Sequence, residues 1–140
     1  MASSYIWLTL SIIAYGLWAF FPKLAVQQTN VAFAMLCQGI GNLTIGAVMI
    51  FFQGKRIEFS LSGASFAYLM GMCGGLGTLF FMKSMENSQL PLSIVTVVSA
   101  AYPVVTTALA VLFLGEKLSL NMLLGVVFAI MAAAFFSQGH

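Results

Sequence analysis

The chain has 140 residues but only eight charged side chains, five Lys or Arg and three Glu. Soluble domains carry about 25% charged residues, whereas this chain carries 6%, with 61% hydrophobic residues and a mean hydropathy of +1.05. So few charges cannot cover the surface of a water-soluble domain. The composition therefore excludes a soluble enzyme and indicates a protein whose natural solvent is lipid.

The charges divide the chain into five uncharged stretches, each at least 22 residues long. A helix needs about 20 apolar residues to cross a hydrocarbon core of about 30 Å. Because lipid offers no water to backbone N–H and C=O groups, each stretch must be a helix unless the chain forms a closed barrel. Residues 108–114 and 126–136 lack the alternating polarity of barrel strands, which favours helices.

We therefore predict an all-α integral membrane protein whose single five-helix domain fills residues 1–140. The first hydrophobic run has no preceding Lys or Arg and exceeds the usual signal-peptide core of about 7 to 15 residues, so it is interpreted as a permanent span. The predicted spans lie near residues 4–26, 31–52, 62–83, 91–114 and 119–138.

Residues suited to catalysis or metal binding are scarce. The three glutamates fall at span ends or in loops, whereas acid–base catalysis needs convergent titratable groups. The one histidine is His140, the last residue, and metal sites need several ligands. Cys37 and Cys73 fall in the middle of spans and are interpreted as packing residues. We expect no enzymatic activity, no metal site and no cofactor.

Polar side chains inside the predicted spans are the candidates for a binding site. They form stripes at helical spacing in the first, second and fourth spans: Ser11, Tyr15 and Trp18; Gln38 and Asn42; Thr96, Ser99, Tyr102 and Thr106. Such groups commonly join membrane helices by hydrogen bonds worth about 0.6 to 2 kcal/mol, which is the favoured interpretation for Ser11 and Thr106 alone. Several amide and ring groups that face inward can also line a cavity, and the whole set favours that interpretation.

Two backbone features accompany these stripes. Gly71, Gly74 and Gly75 cluster in the third span, which indicates close approach of another helix and is also compatible with helices that slide or rock. Pro103 falls in the middle of the fourth span, where it removes a backbone hydrogen bond and kinks the helix. Broken helices mark the binding sites of many transporters, so Pro103, together with Lys23, is the candidate for a helix break or gate.

The segment from Tyr102 to Leu120, followed by the Leu-Gly pair that ends at Gly125, resembles the end of an EamA domain of the drug/metabolite transporter superfamily. The shared pattern is a mid-helix proline, a Leu-Gly-Glu turn and a final helix that opens with Leu-Gly. The Tyr15-Gly-Leu-Trp18 segment followed by Lys23 resembles the first helix of the same domain. The likeness covers the whole chain in span order, and it implies a five-helix transporter fold.

The chain also departs from that family. Members usually carry two such domains in inverted orientation, ten helices in all, whereas this chain has one. An arginine often found near the start of the second helix is missing, and Met35, Cys37 and Gln38 stand in that neighbourhood. The resemblance therefore implies the fold and leaves the substrate open.

The distribution of basic residues bears on assembly. Lys55, Arg56 and Lys117 fall on the side of the N-terminus, and Lys23 and Lys83 fall on the opposite side. An excess of Lys and Arg in the short loops on one side of the membrane sets the orientation of a membrane protein. A difference of one basic residue barely favours either orientation. We therefore expect two chains to pair in opposite orientations as an inverted homodimer.

We interpret the chain as a membrane transporter subunit that moves a small organic metabolite by alternating access. The predicted substrate-binding residues are Tyr15, Trp18, Gln38, Asn42, Ser99 and Tyr102. Because no carboxylate lies at membrane depth, where proton relays are usually found, we expect no carboxylate-based proton coupling.

Two alternatives stay open: a non-transporting scaffold or regulatory partner of a larger transporter, and a flippase for a lipid-linked intermediate. A scaffold needs no inward-facing polar groups, so the presence of such groups disfavours the scaffold alternative. The expected partners are the bilayer, an inverted second copy and a small-molecule substrate, with no nucleic acid. The expected location is the cytoplasmic membrane of a prokaryote.

Overall fold

The computed structural model describes residues 2–53, 60–86 and 90–138, and these residues are helical apart from short connections. The helices are α1 (Ala2–Gln28), α2 (Val31–Gln53), α3 (Leu61–Glu86), α4 (Leu92–Ser99), α5 (Tyr102–Leu114) and α6 (Leu120–Ser137). Lys55, Arg56 and His140 lie outside the described residues, so the structure adds nothing to the predictions that involve them.

Five segments of the described chain are long and apolar enough to cross a membrane, which confirms the prediction of an all-α chain with five spans. At most 17% of the residues in the apolar window of any span are buried within the chain. Lipid or other protein must therefore cover most of the apolar surface. The spans are Tyr5–Gln28, Val31–Phe52, Leu61–Glu86, Leu92–Leu114 and Leu120–Ser137.

The helices fall into two compact units, Met1–Ser88 and Gln89–His140. In the first unit, α1 and α2 form a helical hairpin around Thr29 and Asn30, and α3 packs against both helices. The Asn30 side-chain oxygen accepts a hydrogen bond of 2.8 Å from the Phe33 backbone N–H, which caps the start of α2. The buried core of this unit consists of Val31, Ala34 and Met82, with Ala25, Val26, Met35 and Leu79 packed around it.

In the second unit, α6 packs against both α4 and α5. The connection to α6 begins at Gly115, whose φ of 66° and ψ of 24° are left-handed, a conformation that glycine adopts without a Cβ clash. Ser119 then caps α6, since its hydroxyl accepts a hydrogen bond of 3.3 Å from the Met122 N–H. The Leu-Gly-Glu segment is thus the turn between two spans.

Candidate functional site

In the first unit, one face of α3 contacts side chains from both α1 and α2. Thr78 and Phe81 lie three residues apart, so they share a face of the helix, and their exposed fractions are only 5% and 7%. The Thr78 hydroxyl donates a hydrogen bond of 2.9 Å to the backbone oxygen of Gly74, one turn earlier. This bond is a usual way for a threonine inside a helix to satisfy its hydroxyl. We call Thr78 and Phe81 the α3 face.

Gln38 reaches the α3 face from α2. Its side-chain nitrogen Nε2 lies 3.5 Å from the Thr78 Oγ1, to which it donates a hydrogen bond. An amide transferred from water to an apolar medium costs several kcal/mol when it makes no hydrogen bond. The contact therefore gives this half-buried glutamine a partner inside a membrane span and joins α2 to α3.

Trp18 reaches the same face from α1. Its ring stacks on the ring of Phe81, with centroids 5.5 Å apart and an angle of 28° between the planes. Trp18 keeps an exposed fraction of 37%, so the pair still presents aromatic surface. The α3 face thus brings together two predicted site residues, Trp18 and Gln38, that come from different helices.

Tyr15 and Asn42 lie one helical turn beyond Trp18 and Gln38. Because α1 and α2 form a hairpin, Tyr15 and Asn42 both lie farther from the connection at residues 29–30 than Trp18 and Gln38 do. Tyr15 is 65% exposed, and Asn42 is also exposed. Neither side chain forms a hydrogen bond with any residue that the structure describes. These two residues therefore extend the polar surface of the first unit without packing onto the α3 face.

The predicted residues of the fourth span belong to the second unit. The Ser99 hydroxyl donates to the backbone oxygens of Val95 at 2.6 Å and Thr96 at 3.1 Å. Tyr102, the first residue of α5, is exposed, and its phenol makes no hydrogen bond within the described ranges. The structure places Ser99 at the end of α4 and leaves the Tyr102 hydroxyl accessible.

Hydroxyls expected to join neighbouring helices bond within their own helix instead. The Ser11 hydroxyl donates to the backbone oxygen of Leu8 at 2.8 Å. The Thr106 hydroxyl donates to the backbone oxygen of Tyr102 at 3.4 Å. Within the described chain, both hydroxyl protons are therefore used by the carbonyl one turn earlier in the same helix.

The fourth span is interrupted just before Pro103. Helix α4 ends at Ser99, and α5 begins at Tyr102. Between them the hydrogen bonds tighten to three-residue spacing, from the Ala101 N–H to the Val98 oxygen at 3.2 Å and from the Val104 N–H to the Ala101 oxygen at 3.0 Å. Since proline has no N–H, Pro103 cannot supply the helical hydrogen bond that the Ser99 carbonyl would otherwise accept.

A largely apolar groove lies beside this break. Its volume is about 250 Å³, and it runs between α5 and α6. Pro103 and Thr107 contribute from α5, and Gly125 and Ala129 contribute from α6. Gly125 and Ala129 add little side-chain volume on the α6 side, which leaves room for an apolar chain.

Lys23 and the glycines occupy different environments. Lys23 is half-buried in α1 and has no ion pair among the residues described. A Cβ built at Gly71, Gly74 or Gly75 would meet no atom within 4 Å. In the described part of the chain, no helix makes the close approach that these glycines predict.

Thr78 and Phe81 are not among the site residues predicted from the sequence. The sequence signal for them is a hydroxyl three residues before an aromatic ring in an apolar helix, and the dense glycines of the same helix favour a packing role instead. Across the described ranges, no group of three or more His, Cys, Asp or Glu side chains could hold a metal ion. The site is therefore built from an amide, a hydroxyl and two aromatic rings.

The five apolar spans of the described chain, with polar and aromatic side chains that meet inside the first unit, define a polytopic integral membrane protein. The sequence pattern of the EamA-like transporter family matches residues 2–138. The chain therefore belongs to the EamA-like transporter family, and the resemblance noted from its motifs is confirmed. Members of this family are transporters, not enzymes. Neither the curated proteins nor the solved structures gave a match.

Proposed function

We propose that this chain is one half of an alternating-access transporter for a small organic metabolite, and that two copies pair in opposite orientations to complete it. Family membership supports a transporter, and the single five-helix match supports a half. Inverted repeats are a common basis of alternating access. The cytoplasmic membrane of a prokaryote is the proposed location.

The observation that carries this proposal is the meeting of Gln38 and Trp18 on the α3 face. Ligand sites combine apolar and aromatic walls with a few placed polar groups. Gln38 supplies the polar group, and the Trp18–Phe81 pair supplies the aromatic wall. A scaffold would gain little from an accessible amide and an accessible indole at membrane depth, where unpaired polar groups are costly.

The remaining predicted residues also have proposed roles, each within its own unit. Tyr15 and Asn42 extend the binding surface of the first unit. Ser99 and Tyr102 bind substrate from the second unit, and Pro103 with Lys23 serves as the break or gate. The open glycine surface at Gly71, Gly74 and Gly75 receives a helix of the second copy, since small residues allow close helix approach in membranes.

A lipid-linked substrate is a second candidate, favoured by the groove between α5 and α6. A groove of about 250 Å³ with a mainly apolar lining suits part of an acyl or isoprenyl chain. In that case an acyl or isoprenyl chain would lie in this groove of the second unit. Lateral entry from the bilayer would then replace entry from water.

Uptake into proteoliposomes tests the proposed function. Purified protein is reconstituted and offered a panel of radiolabelled amino acids, sugars, amines and nucleosides, with one short-chain isoprenyl phosphate sugar as the lipid-linked member. We expect saturable uptake of at least one compound above that of protein-free vesicles. A scaffold or regulatory partner predicts no saturable uptake of any compound, and that result would overturn the proposal.

A further inference from the structure

We propose that Thr78 is a positioning residue that turns the Gln38 amide so that its carbonyl oxygen faces the substrate. The substrate must then present a hydrogen-bond donor, either a hydroxyl or an N–H group, carried on an apolar or aromatic skeleton. This inference rests on the proposed function and deepens it by naming the substrate class. The Thr78 hydroxyl has a single proton, and the direction of that proton decides how the Gln38 amide is oriented.

The Thr78 hydroxyl already uses its proton. A threonine hydroxyl has one O–H donor and two acceptor lone pairs. At 2.9 Å, the Gly74 oxygen is the nearer partner and can only accept, so the Thr78 proton points to it. The Gln38 side chain, 3.5 Å away, therefore meets a lone pair of the Thr78 oxygen. Only an N–H of the Gln38 amide suits that lone pair.

This arrangement fixes the orientation of the amide. Turning the amide over would place the Gln38 oxygen against the Thr78 oxygen with no proton between them. Thr78 is 5% exposed, so water has little access to relieve the repulsion. The favoured orientation leaves the Gln38 Oε1 pointing away from Thr78, and this oxygen has no hydrogen-bond partner among the described residues.

The exposed oxygen and the remaining N–H of Gln38 define what can bind there. An amide oxygen only accepts hydrogen bonds, and the second N–H only donates. A hydroxyl or a primary amide can satisfy both, whereas an ether or ester oxygen leaves the Gln38 oxygen unpaired. A site built around a hydrogen bond discriminates strongly against analogues that lack the matching group.

The aromatic wall defines the rest of the substrate. Phe81 lies one turn from Thr78 on the same face and carries the stacked ring of Trp18. Aromatic rings favour offset-stacked or edge-to-face contact with other apolar rings. A donor group attached to an apolar or aromatic skeleton therefore matches the amide and the wall together.

The test compares two ligands that differ by one donor. The probes are 2-phenylethanol and its methyl ether, which share a skeleton but differ in the O–H group. Replacing the other tryptophan by Trp7→Phe leaves Trp18 as the single tryptophan of the chain. Its fluorescence in detergent or nanodiscs reports binding by the full chain. The measured quantity is the ratio of the dissociation constant of the ether to that of the alcohol.

We expect a ratio of about three to ten in the parent protein, because the ether leaves one hydrogen bond unmade. Thr78→Val, which replaces the hydroxyl by a methyl group, frees the amide to turn and brings the ratio towards one. Thr78→Ser keeps the hydroxyl and should therefore keep the ratio of the parent protein. A merely structural role of Thr78 would change both dissociation constants together and leave their ratio unchanged.

Three results would overturn the inference: a parent ratio of one or less, a ratio unaffected by Thr78→Val, or no saturable response of Trp18 to either probe. Detergent-solubilised helix content, measured on every variant, shows whether Thr78→Val still folds, and Thr78→Ala, which also lacks the hydroxyl, takes its place if it does not. Binding selectivity needs no transport. Selective binding without uptake of any panel compound would therefore reject the transporter and keep the Gln38 site as a ligand site.

Discussion

At the scale of single residues, the hydrogen bond between Gln38 and Thr78 satisfies a polar group inside an apolar span. It also determines which atoms of Gln38 remain for a ligand. Lipid cannot satisfy an amide, so a glutamine in the second span needs a partner from another helix or from a ligand. Thr78 uses one N–H of that amide. The remaining oxygen has no hydrogen-bond partner among the described residues, so it is free to accept a hydrogen bond from a ligand.

Gln38→Leu removes the amide and keeps a similar volume. A hydrogen bond to substrate is worth about 0.5 to 1.5 kcal/mol, so we expect the apparent affinity for uptake to fall roughly three-fold to ten-fold. Tyr102→Phe should lower it by a similar or smaller factor, because the ring remains. Phe135→Leu, on the exposed surface of α6, is the control and should change little. Equal uptake by all three variants would remove Gln38 and Tyr102 from the site.

The two tryptophans of α1 offer a matched test of packing. Trp18→Leu removes the stack on Phe81, and aromatic pairs contribute about 0.5 to 1.5 kcal/mol beyond the burial of their area. We expect a lower midpoint of thermal unfolding in detergent. Trp7→Leu removes a ring that is 69% exposed and should leave the midpoint nearly unchanged. Similar shifts in the two variants would show that the Trp18–Phe81 contact adds no stability.

At the scale of helices, the break in the fourth span is the main departure from a simple bundle. Pro103→Ala supplies an N–H for the Ser99 carbonyl, so α4 and α5 should join into one helix. Spin labels at positions 93 and 113 should then approach a separation of about 30 Å, the length of 20 residues of straight helix. We expect uptake to fall, because a continuous helix pairs the Ser99 carbonyl that the break leaves without its helical hydrogen bond.

The control for this variant is Pro91→Ala, since Pro91 is exposed and precedes α4. It should alter neither the label separation nor uptake. If Pro103→Ala leaves the label separation of the parent protein unchanged, the proline does not cause the break. If uptake persists in a straightened helix, the break has no role in transport.

Helix formation was predictable from the sequence because lipid forces backbone groups into helices, and eight charges mark where the spans end. Pro103 located the break approximately. The break falls at Ala100 and Ala101 because proline fits the first turn of a helix but disrupts the turn before it. The α3 face was not predictable, since it depends on which neighbours Thr78 and Phe81 meet. The open surface at Gly71 likewise follows from the arrangement of helices and not from spacing.

At the scale of the whole molecule, the positions of the carboxylates bear on energy coupling. Glu86 ends α3 and pairs with Lys83 at 2.6 Å on an exposed surface, and Glu116 lies in the connection between α5 and α6. Glu86 is thus the last residue of its span and Glu116 lies between two spans, whereas proton relays are usually found at membrane depth. Uptake should therefore change less than about two-fold when a protonophore collapses the proton gradient. Complete loss of uptake under that treatment would require a proton-coupled mechanism.

In the proposed function, one five-helix chain forms a transporter by pairing with an inverted copy. The most direct test is labelling by a membrane-impermeant maleimide of single cysteines at Gln28 or Ser62, after replacement of Cys37 and Cys73. These positions flank α2 and so lie on opposite sides of the membrane in any one chain. We predict that about half of the chains of each variant are labelled before permeabilisation and all of them afterwards. Complete labelling of one variant and none of the other from the same side would contradict the inverted pair.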